Sequence, residues 1–329
     1  MSHAVRKYLL IFTIIFAINE LSAITFNQWA GGTSGSWNTA KNWSTGSVPG
    51  IEGIIEIDEL ATITISEDSY VNQMAVYQAS SITSLGSTAS SLTIGSYYSP
   101  AGITALGILT LDFSGGIVLT DTTQIEPQST SSEIWTLCAI SGGHSIEKLG
   151  AGTWYCVGAA TYTGGTTISA GTMEIDGSIT SSVTVDSDAI LSGVGGTVTG
   201  NVTVEGSGIL APGSGLDTAG TLTISGNLTM HSNGILYIPV TSSLDSGTAT
   251  SELVVTGTAG VTGGKLEIAF EDSTDYSMGT FVVLTAGTLS ETFSSITTNL
   301  DNSSSGITVT TFQSGTSVGF ILCTGQKIS

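Results

Sequence analysis

Short stretches in which valine or leucine alternates with threonine recur in the middle of the chain. Alternation of this kind places the apolar residues on one face of a strand and Thr on the other. The central apolar residues Val183, Val202 and Leu222 recur at intervals of 19 and then 20 residues. A second series follows the first by about seven positions, at residues 171–173, 188–191, 208–210 and 234–236. Each unit therefore predicts two short strands separated by Gly, Ser, Asn or Asp.

A strand of three to five residues cannot bury its apolar face alone. When successive coils stack, each strand pairs with its equivalent one coil later and the inner residues form a continuous apolar column. The pattern predicts an all-β fold, a right-handed parallel β-helix with about 19–20 residues per coil. A sandwich or barrel would give similar turn spacing, but the near-identical repeated unit favours the solenoid.

The sequence divides into three regions after the N-terminal 23 residues, and the repeats lie in the middle one. Residues 61–251 are predicted to be the β-helix repeat region, and residues 252–329, with longer and more hydrophobic strands, its closing coils. Residues 24–60 contain Trp29, Trp37 and Trp43 among Gly, Ser and Asn. Aromatic residues concentrated at a terminus are expected to cap the open end of the apolar column. A carbohydrate-binding platform uses the same residue type and is the alternative for this segment.

Residues 1–23 are typical of a secretory signal peptide. Arg6 and Lys7 precede an apolar run over residues 8–18, which is too short to span a membrane, and cleavage is expected after Ala23. We therefore predict an exported protein, secreted or displayed at the outer-membrane surface, with a periplasmic location as the alternative. No membrane-spanning segment is predicted in the mature chain.

Composition and charge narrow the classes of partner. The chain has 43 Gly, six Lys and Arg against 26 Asp and Glu, and a net charge of −20. Without the signal peptide, four Lys and no Arg remain. Nucleic-acid binding is excluded, since phosphate contacts need clustered cations. The acidic residues are scattered, which indicates a solubilised surface more than a cation-binding one.

Residues 150–173 resemble the autotransporter-associated β-strand repeat. The motif positions that carry the resemblance are Gly150, Gly152, Thr153, Tyr162, Thr163, Gly164, Thr167, Ile168, Gly171 and Thr172. The resemblance implies a parallel β-helix passenger with a structural or adhesive role, whose partners are host or cell-surface glycans or proteins. Members of this family carry a C-terminal translocator barrel. None follows the repeats here, so a separate translocator is expected.

Residues for catalysis, metals or cofactors are sparse, and we predict no enzyme activity, metal site or cofactor. His144 and the pair Asp186 and Asp188 are interpreted as solvated turns. Cys138, Cys156 and Cys323 are expected to be buried thiols, although the spacing of the first two, about one coil, also allows a disulfide between adjacent coils.

Two alternative functions remain open on the sequence alone. A carbohydrate-active β-helix enzyme would need clustered carboxylates, for which the chain offers Glu267, Glu271 and Asp272. A protein that binds ice or another regular surface would need a flat two-column Thr array. Thr-x-Thr pairs occur at residues 62 and 64 and at residues 221 and 223.

Overall fold

The computed structural model describes residues 25–50, 53–84, 90–95, 101–240, 251–271, 278–300 and 307–324. The predicted signal peptide and Asp272 lie outside the described residues. Apart from one 3-10 turn at Ala40–Asn42, the regular structure in these ranges is β-strand. An all-β fold is what β-branched residues alternating with turn residues favour.

The N-terminal strands are β1 Thr25–Gln28, β2 Ser34–Ser36, β3 Gly53–Ile57, β4 Thr62–Ile65, β5 Ser69–Val71, β6 Gln73–Val76, β7 Ser80–Ser84, β8 Leu92–Ile94, β9 Ala101–Ala105, β10 Ile108–Asp112, β11 Ile117–Leu119 and β12 Thr123–Pro127. The central strands are β13 Glu133–Thr136, β14 Ile140–Gly142, β15 Ile146–Lys148, β16 Thr153–Cys156, β17 Ala159–Ala160, β18 Thr166–Ile168, β19 Thr172–Ile175, β20 Ser178–Ile179, β21 Val183–Val185, β22 Ile190–Gly193, β23 Thr197–Val198 and β24 Val202–Val204. The C-terminal strands are β25 Ile209–Ser214, β26 Thr218–Ala219, β27 Thr221–Ile224, β28 Leu228–Met230, β29 Ile235–Val240, β30 Glu252–Gly260, β31 Lys265–Phe270, β32 Gly279–Ser290, β33 Ser295–Thr298, β34 Ile307–Gln313 and β35 Ser317–Thr324.

The strands stack into three parallel ladders around one apolar core, so the chain is a parallel β-helix as predicted. The first ladder is a sheet that runs β2-β4-β7-β10-β13-β16-β19-β22-β25-β29-β31-β33. The second runs β5-β8-β11-β14-β17-β20-β23-β27-β30 and the third β1-β3-β6-β9-β12-β15-β18-β21-β24-β28-β30. The long strand β30 pairs with both β27 and β28, so the second and third ladders form one sheet.

Register in the first ladder gives the length of each coil. The inward residues Trp154, Met173, Leu191 and Leu210 are aligned on successive coils, and the spacing between neighbours is close to the predicted coil length. The interval from Leu210 to its partner Leu236 is longer, because the short hairpin formed by β25 and β26 is inserted in that coil. The central coils thus have nearly the predicted length and the later ones are longer.

Two details of the predicted repeat are wrong. The series that ends at Leu222 is misaligned, because Val202 pairs with Leu228, whereas Leu222 lies on β27 and pairs with Leu253 in the second ladder. The central coils also hold three strands each instead of two. The strands overlooked are those of the second ladder, such as β20 and β23, which have only two residues each. Two residues cannot display an alternation, so the pattern missed them.

Aromatic clusters lie at both ends of the stack. Near β1 and β2, Trp43 packs edge-on against Trp29 and Trp37, with ring centroids 5.2 and 4.8 Å apart. At the other end, Phe320 on β35 stacks on Phe281, and β35 pairs antiparallel with both β32 and β34. The C-terminal region therefore departs from parallel stacking at its last strands.

Candidate functional site

The motif glycines of residues 150–173 lie where successive coils approach closely. A Cβ atom on Gly164 would be 2.2 Å from the carbonyl carbon of His144, and one on Gly152 would be 2.2 Å from the carbonyl oxygen of Ser132. Gly171 has a φ of 64°, which favours glycine, and would meet the Gly150 oxygen at 2.5 Å. These glycines therefore allow the coils to stack at sheet spacing.

Tyr162 of the motif lies inside the coil. Its hydroxyl is 2.5 Å from Thr166 Oγ1, which in turn is 2.8 Å from Ser181 Oγ. All three side chains are buried, and burial raises the pKa of the Tyr162 phenol. The residue lies between β17 and β18, and its hydroxyl is satisfied internally. Tyr162 has a packing position and no access to a ligand.

A lysine occupies the inward column of the third ladder. Lys148 is aligned between Ile125 and Ile168 on the neighbouring coils and is completely buried. Its ammonium group donates to the carbonyl oxygens of Leu149, Gly150 and Ala170 at 2.8, 3.0 and 2.9 Å. Desolvation lowers the pKa of Lys148 to about 7, although the negative charge of Glu126 acts in the opposite direction and raises it. Lys148 thus ties together two corners of the stack.

The three tryptophans near the N-terminus are also buried. Trp29, Trp37 and Trp43 have at most 6 % of their surface exposed. Trp43 Nε1 donates to the Trp37 carbonyl at 2.7 Å, and Trp29 Nε1 to that of Gly32 at 2.8 Å. Rings packed against each other in this way do not offer a platform for a carbohydrate. Their position at the end of the first and third ladders is where a cap would lie.

Aromatic and acidic residues meet on the outer face of the first ladder. We call this group, Glu133, Trp135, Tyr155, Glu174 and Asp176, the acidic aromatic surface. Trp135, Tyr155 and Glu174 are aligned on three successive coils. The rings of Trp135 and Tyr155 stack with centroids 3.8 Å apart and planes 12° apart, and Trp135 Nε1 donates to Glu133 Oε2 at 2.7 Å.

Electrostatics in this surface is dominated by negative charge. Burial first, and then the charges of Glu133, Glu174 and Asp176, raise the pKa of Tyr155. Burial also raises the pKa of Glu174, whose Oε2 accepts hydrogen bonds from Ser214 Oγ at 3.1 Å and from a backbone amide at 3.2 Å. Glu174 therefore anchors the inserted hairpin. Among the described residues, no cation forms an ion pair with these three acids.

Large apolar side chains surround the acidic aromatic surface. Leu137 and Val157 directly follow β13 and β16, and Ile108 and Val194 lie on flanking coils. All four are exposed. Sequence reasoning missed this whole group, because its members lie on different coils and are therefore far apart along the chain. The outward positions of Trp135 and Tyr155 in strands that otherwise alternate could have indicated it.

The other residues singled out in the sequence stay apart. His144 is exposed. Asp186 precedes a turn, and Asp188 lies in that turn with a φ of 65°. Glu267 points outward from β31, and Glu271 follows the end of that strand. In the part of the chain that is described, no group of three or more His, Cys, Asp or Glu could hold a metal ion.

All three cysteines are free thiols. Cys138 and Cys156 are buried, as expected, and are not joined in a disulfide. Burial raises the pKa of the Cys156 thiol to about 12 and also raises that of Cys138. The expectation of burial is wrong for Cys323, which is exposed near the end of the antiparallel strand β35.

Hydroxyl side chains line the outer face of the second ladder. Ser178 pairs with Thr197 and Thr197 with Thr223, and two positions further on lie Thr180, Thr199 and Ser225. Only the middle coil has Thr in both columns. The Thr180 hydroxyl also donates to a backbone carbonyl of the preceding coil. The array is therefore mixed, without the repeated Thr pairs that a regular ice-like surface requires.

Comparison with known proteins agrees with the central repeat. Residues 146–175 match the family model described as the passenger-associated-transport-repeat. This confirms the resemblance to autotransporter passenger repeats for that segment, which contains Lys148, Tyr162 and the motif glycines. No curated protein matches the chain. Among the described residues there is no helix long and apolar enough to cross a membrane.

Proposed function

We propose that the chain is an exported, non-catalytic β-helix of the passenger type that adheres to a partner through its acidic aromatic surface. The observation that carries the proposal is the stacked pair Trp135 and Tyr155 on the outside of a β-helix whose other tryptophans are buried. Solvent-accessible aromatic residues with exposed apolar neighbours are the usual centres of interaction surfaces. The passenger-type repeat supports export or surface display.

We propose a structural role for the interior and the end of the stack, beside the adhesive role of its outer face. One continuous core runs through the stack from the tryptophan cluster to the phenylalanine cluster. We propose that Trp29, Trp37 and Trp43 cap this core, because exposed strand edges at the end of a stack would otherwise pair with other chains. The motif residues Gly152 and Gly164 then serve coil stacking, and the outer faces are left for recognition.

Catalysis is the weaker alternative for the acidic aromatic surface. A glycoside hydrolase needs two carboxyl groups that flank an accessible bond, one of them with a raised pKa. Glu174 has the raised pKa, but it is buried beneath the inserted hairpin and holds that hairpin through Ser214. An acid sequestered in this way cannot reach a glycosidic oxygen. Cleavage of any member of a glycan panel by the purified chain would overturn this part of the proposal.

The adhesive role can be tested with one double variant and one matched control. Trp135→Ala with Tyr155→Ala removes the stacked pair, whereas Tyr237→Ala removes an outward tyrosine from β29, beyond the inserted hairpin on the same ladder. Purified protein is incubated with whole cells and the bound fraction is measured. We expect the double variant to lose binding and the control to retain it. Equal binding by all three proteins would refute the adhesive role of this surface.

Export and display are tested separately. Cells that produce the chain are fractionated and intact cells are treated with protease. Digestion indicates display at the surface and protection indicates the periplasm. Recovery of the uncleaved chain in the cytoplasm would contradict the predicted export signal.

A further inference from the structure

The acidic aromatic surface combines exposed apolar residues with acids. A basic side chain, with an aliphatic stem and a charged head, can contact both. Leu137 and Val157 are exposed apolar residues that follow the strands of the stacked rings. Glu133 and Asp176 are acids of the same surface, and neither is paired with a cation among the described residues. Lysine and arginine side chains pack their aliphatic stems on apolar surface while their charged heads reach a carboxylate or the face of an aromatic ring.

The stacking geometry argues against a neutral sugar as the occupant. A sugar ring packs on an open aromatic face, but Trp135 and Tyr155 cover one face of each other at 3.8 Å. The remaining face of Tyr155 is turned toward the coil that carries Glu174, where negative charge accumulates. A cationic side chain gains Coulomb attraction from Glu133 and Asp176 at the edge of this surface, whereas a neutral sugar could only donate hydrogen bonds to them.

A second copy of the chain is also a poor occupant. With a net charge of −20, two copies repel each other, and a self-complementary contact would place the same uncompensated acids against one another. Charge complementarity requires a partner that is basic where this surface is acidic and apolar where it presents leucine and valine.

We infer that the acidic aromatic surface binds a segment of a partner protein in which Lys or Arg residues are interspersed with apolar residues. The inference rests on the adhesive function proposed above and names the class of partner for it. Trp135 and Tyr155 would provide the apolar centre and Glu133 and Asp176 the charged rim, the arrangement found at protein interfaces.

The test measures binding of labelled peptides to the purified chain by fluorescence anisotropy. The probes are a peptide of alternating Lys and Leu, a peptide of alternating Glu and Leu, and an uncharged oligosaccharide. Glu133→Gln with Asp176→Asn removes two charges but keeps the acceptor oxygens for Trp135 Nε1 and the Val194 amide. Asp186→Asn with Glu205→Gln removes the same charge from turns elsewhere.

We expect the Lys and Leu peptide alone to bind, with an affinity about tenfold lower in the first double variant and nearly unchanged in the second. An equal loss in both variants would mean that net charge alone attracts the peptide, and would overturn the inference. Binding of the oligosaccharide in preference to the peptide would also overturn it.

Failure of this inference can be told apart from failure of the proposed function. Loss of cell binding on Trp135→Ala with Tyr155→Ala, without any binding of the basic peptide, would leave the adhesive surface in place and refute only the partner class. Retention of cell binding by that variant would refute the adhesive function itself.

Discussion

Two adjacent glycines offer a sharp test of how the coils stack. Gly164 and Gly165 lie in the same corner between β17 and β18. A Cβ on Gly164 would be 2.2 and 2.3 Å from backbone atoms of His144 and Ser145, whereas a Cβ on Gly165 would meet no atom within 4 Å. We therefore expect Gly164→Ala to destabilise the protein and Gly165→Ala to leave it intact.

The magnitude follows from the contact distances. Ordinary carbon contacts lie near about 3.5–4.0 Å, so the new methyl of Gly164→Ala must be moved by more than about 1 Å against the backbone of the coil below. Overpacking of this kind costs about 1–3 kcal/mol, and sometimes more when no flexible side chain can yield. Gly165→Ala has no clash and reduces the entropy of the unfolded chain, which stabilises by about 0.4–1 kcal/mol. The two variants should differ by about 1.4–4 kcal/mol.

The free energy of unfolding is measured by urea titration, followed through tryptophan fluorescence. Trp154 is buried inside the same coil and reports its packing. If neither alanine variant lost stability, the close approach at Gly164 would be refuted, and with it the explanation of why the repeat motif has glycine there. A similar loss in both would indicate that the corner needs flexibility instead of space.

Three further predictions concern buried groups. Because the pKa of Lys148 is lowered to about 7, the folded state binds fewer protons than the unfolded state above that pH. The unfolding free energy relative to Lys148→Met should rise by about 1.4 kcal/mol per pH unit between about pH 7.5 and 9, and a constant difference would show that the ammonium keeps its proton. Tyr162→Phe should cost about 0.5–1.5 kcal/mol in urea titration, because its hydrogen bond to the buried Thr166 hydroxyl is lost while that hydroxyl keeps Ser181 as a partner; an unchanged midpoint would contradict the internal network. A thiol reagent at about pH 8 should modify Cys323 rapidly in the folded chain, with Cys138 and Cys156 reacting only after unfolding, and more than one fast thiol would contradict their burial.

Much of the fold could be predicted because alternation is a local property. The segment Val183–Val185 displays its buried and outward residues within three positions, and the recurrence of such segments predicts stacking. The second series of strands is aligned in the first ladder from Met173 to Leu236, and the coil length inferred from the first series holds there as far as Leu210. The first series was misaligned at Leu222, because the inserted hairpin lengthens one coil. A similar strand from the second ladder therefore lies at the position where the next strand of the third ladder was expected.

Lys148 shows where residue type alone misleads. A lysine is ordinarily interpreted as exposed, although alternation within Ile146–Lys148 places Lys148 on the same face as the buried Ile146. The reason lies in the corners, where the carbonyl groups of Leu149 and Gly150, joined by that of Ala170 one coil later, turn toward the interior. Buried carbonyl groups need donors, and a long side chain that has three N–H bonds in its charged form supplies all of them at once. Such a requirement arises only when two coils are stacked.

The acidic aromatic surface also arises from the stacking of coils. Trp135, Tyr155 and Glu174 follow one another at intervals of one coil, and each alone is an ordinary outward residue of a short strand. Stacking in register turns this periodicity into adjacency and aligns them in one column, as it aligns Ile125, Lys148 and Ile168 inside. In a parallel β-helix, neighbours on an outer face are therefore encoded at the period of the coil. Outward residues should be compared one coil apart, after the register has been fixed from the inward ones.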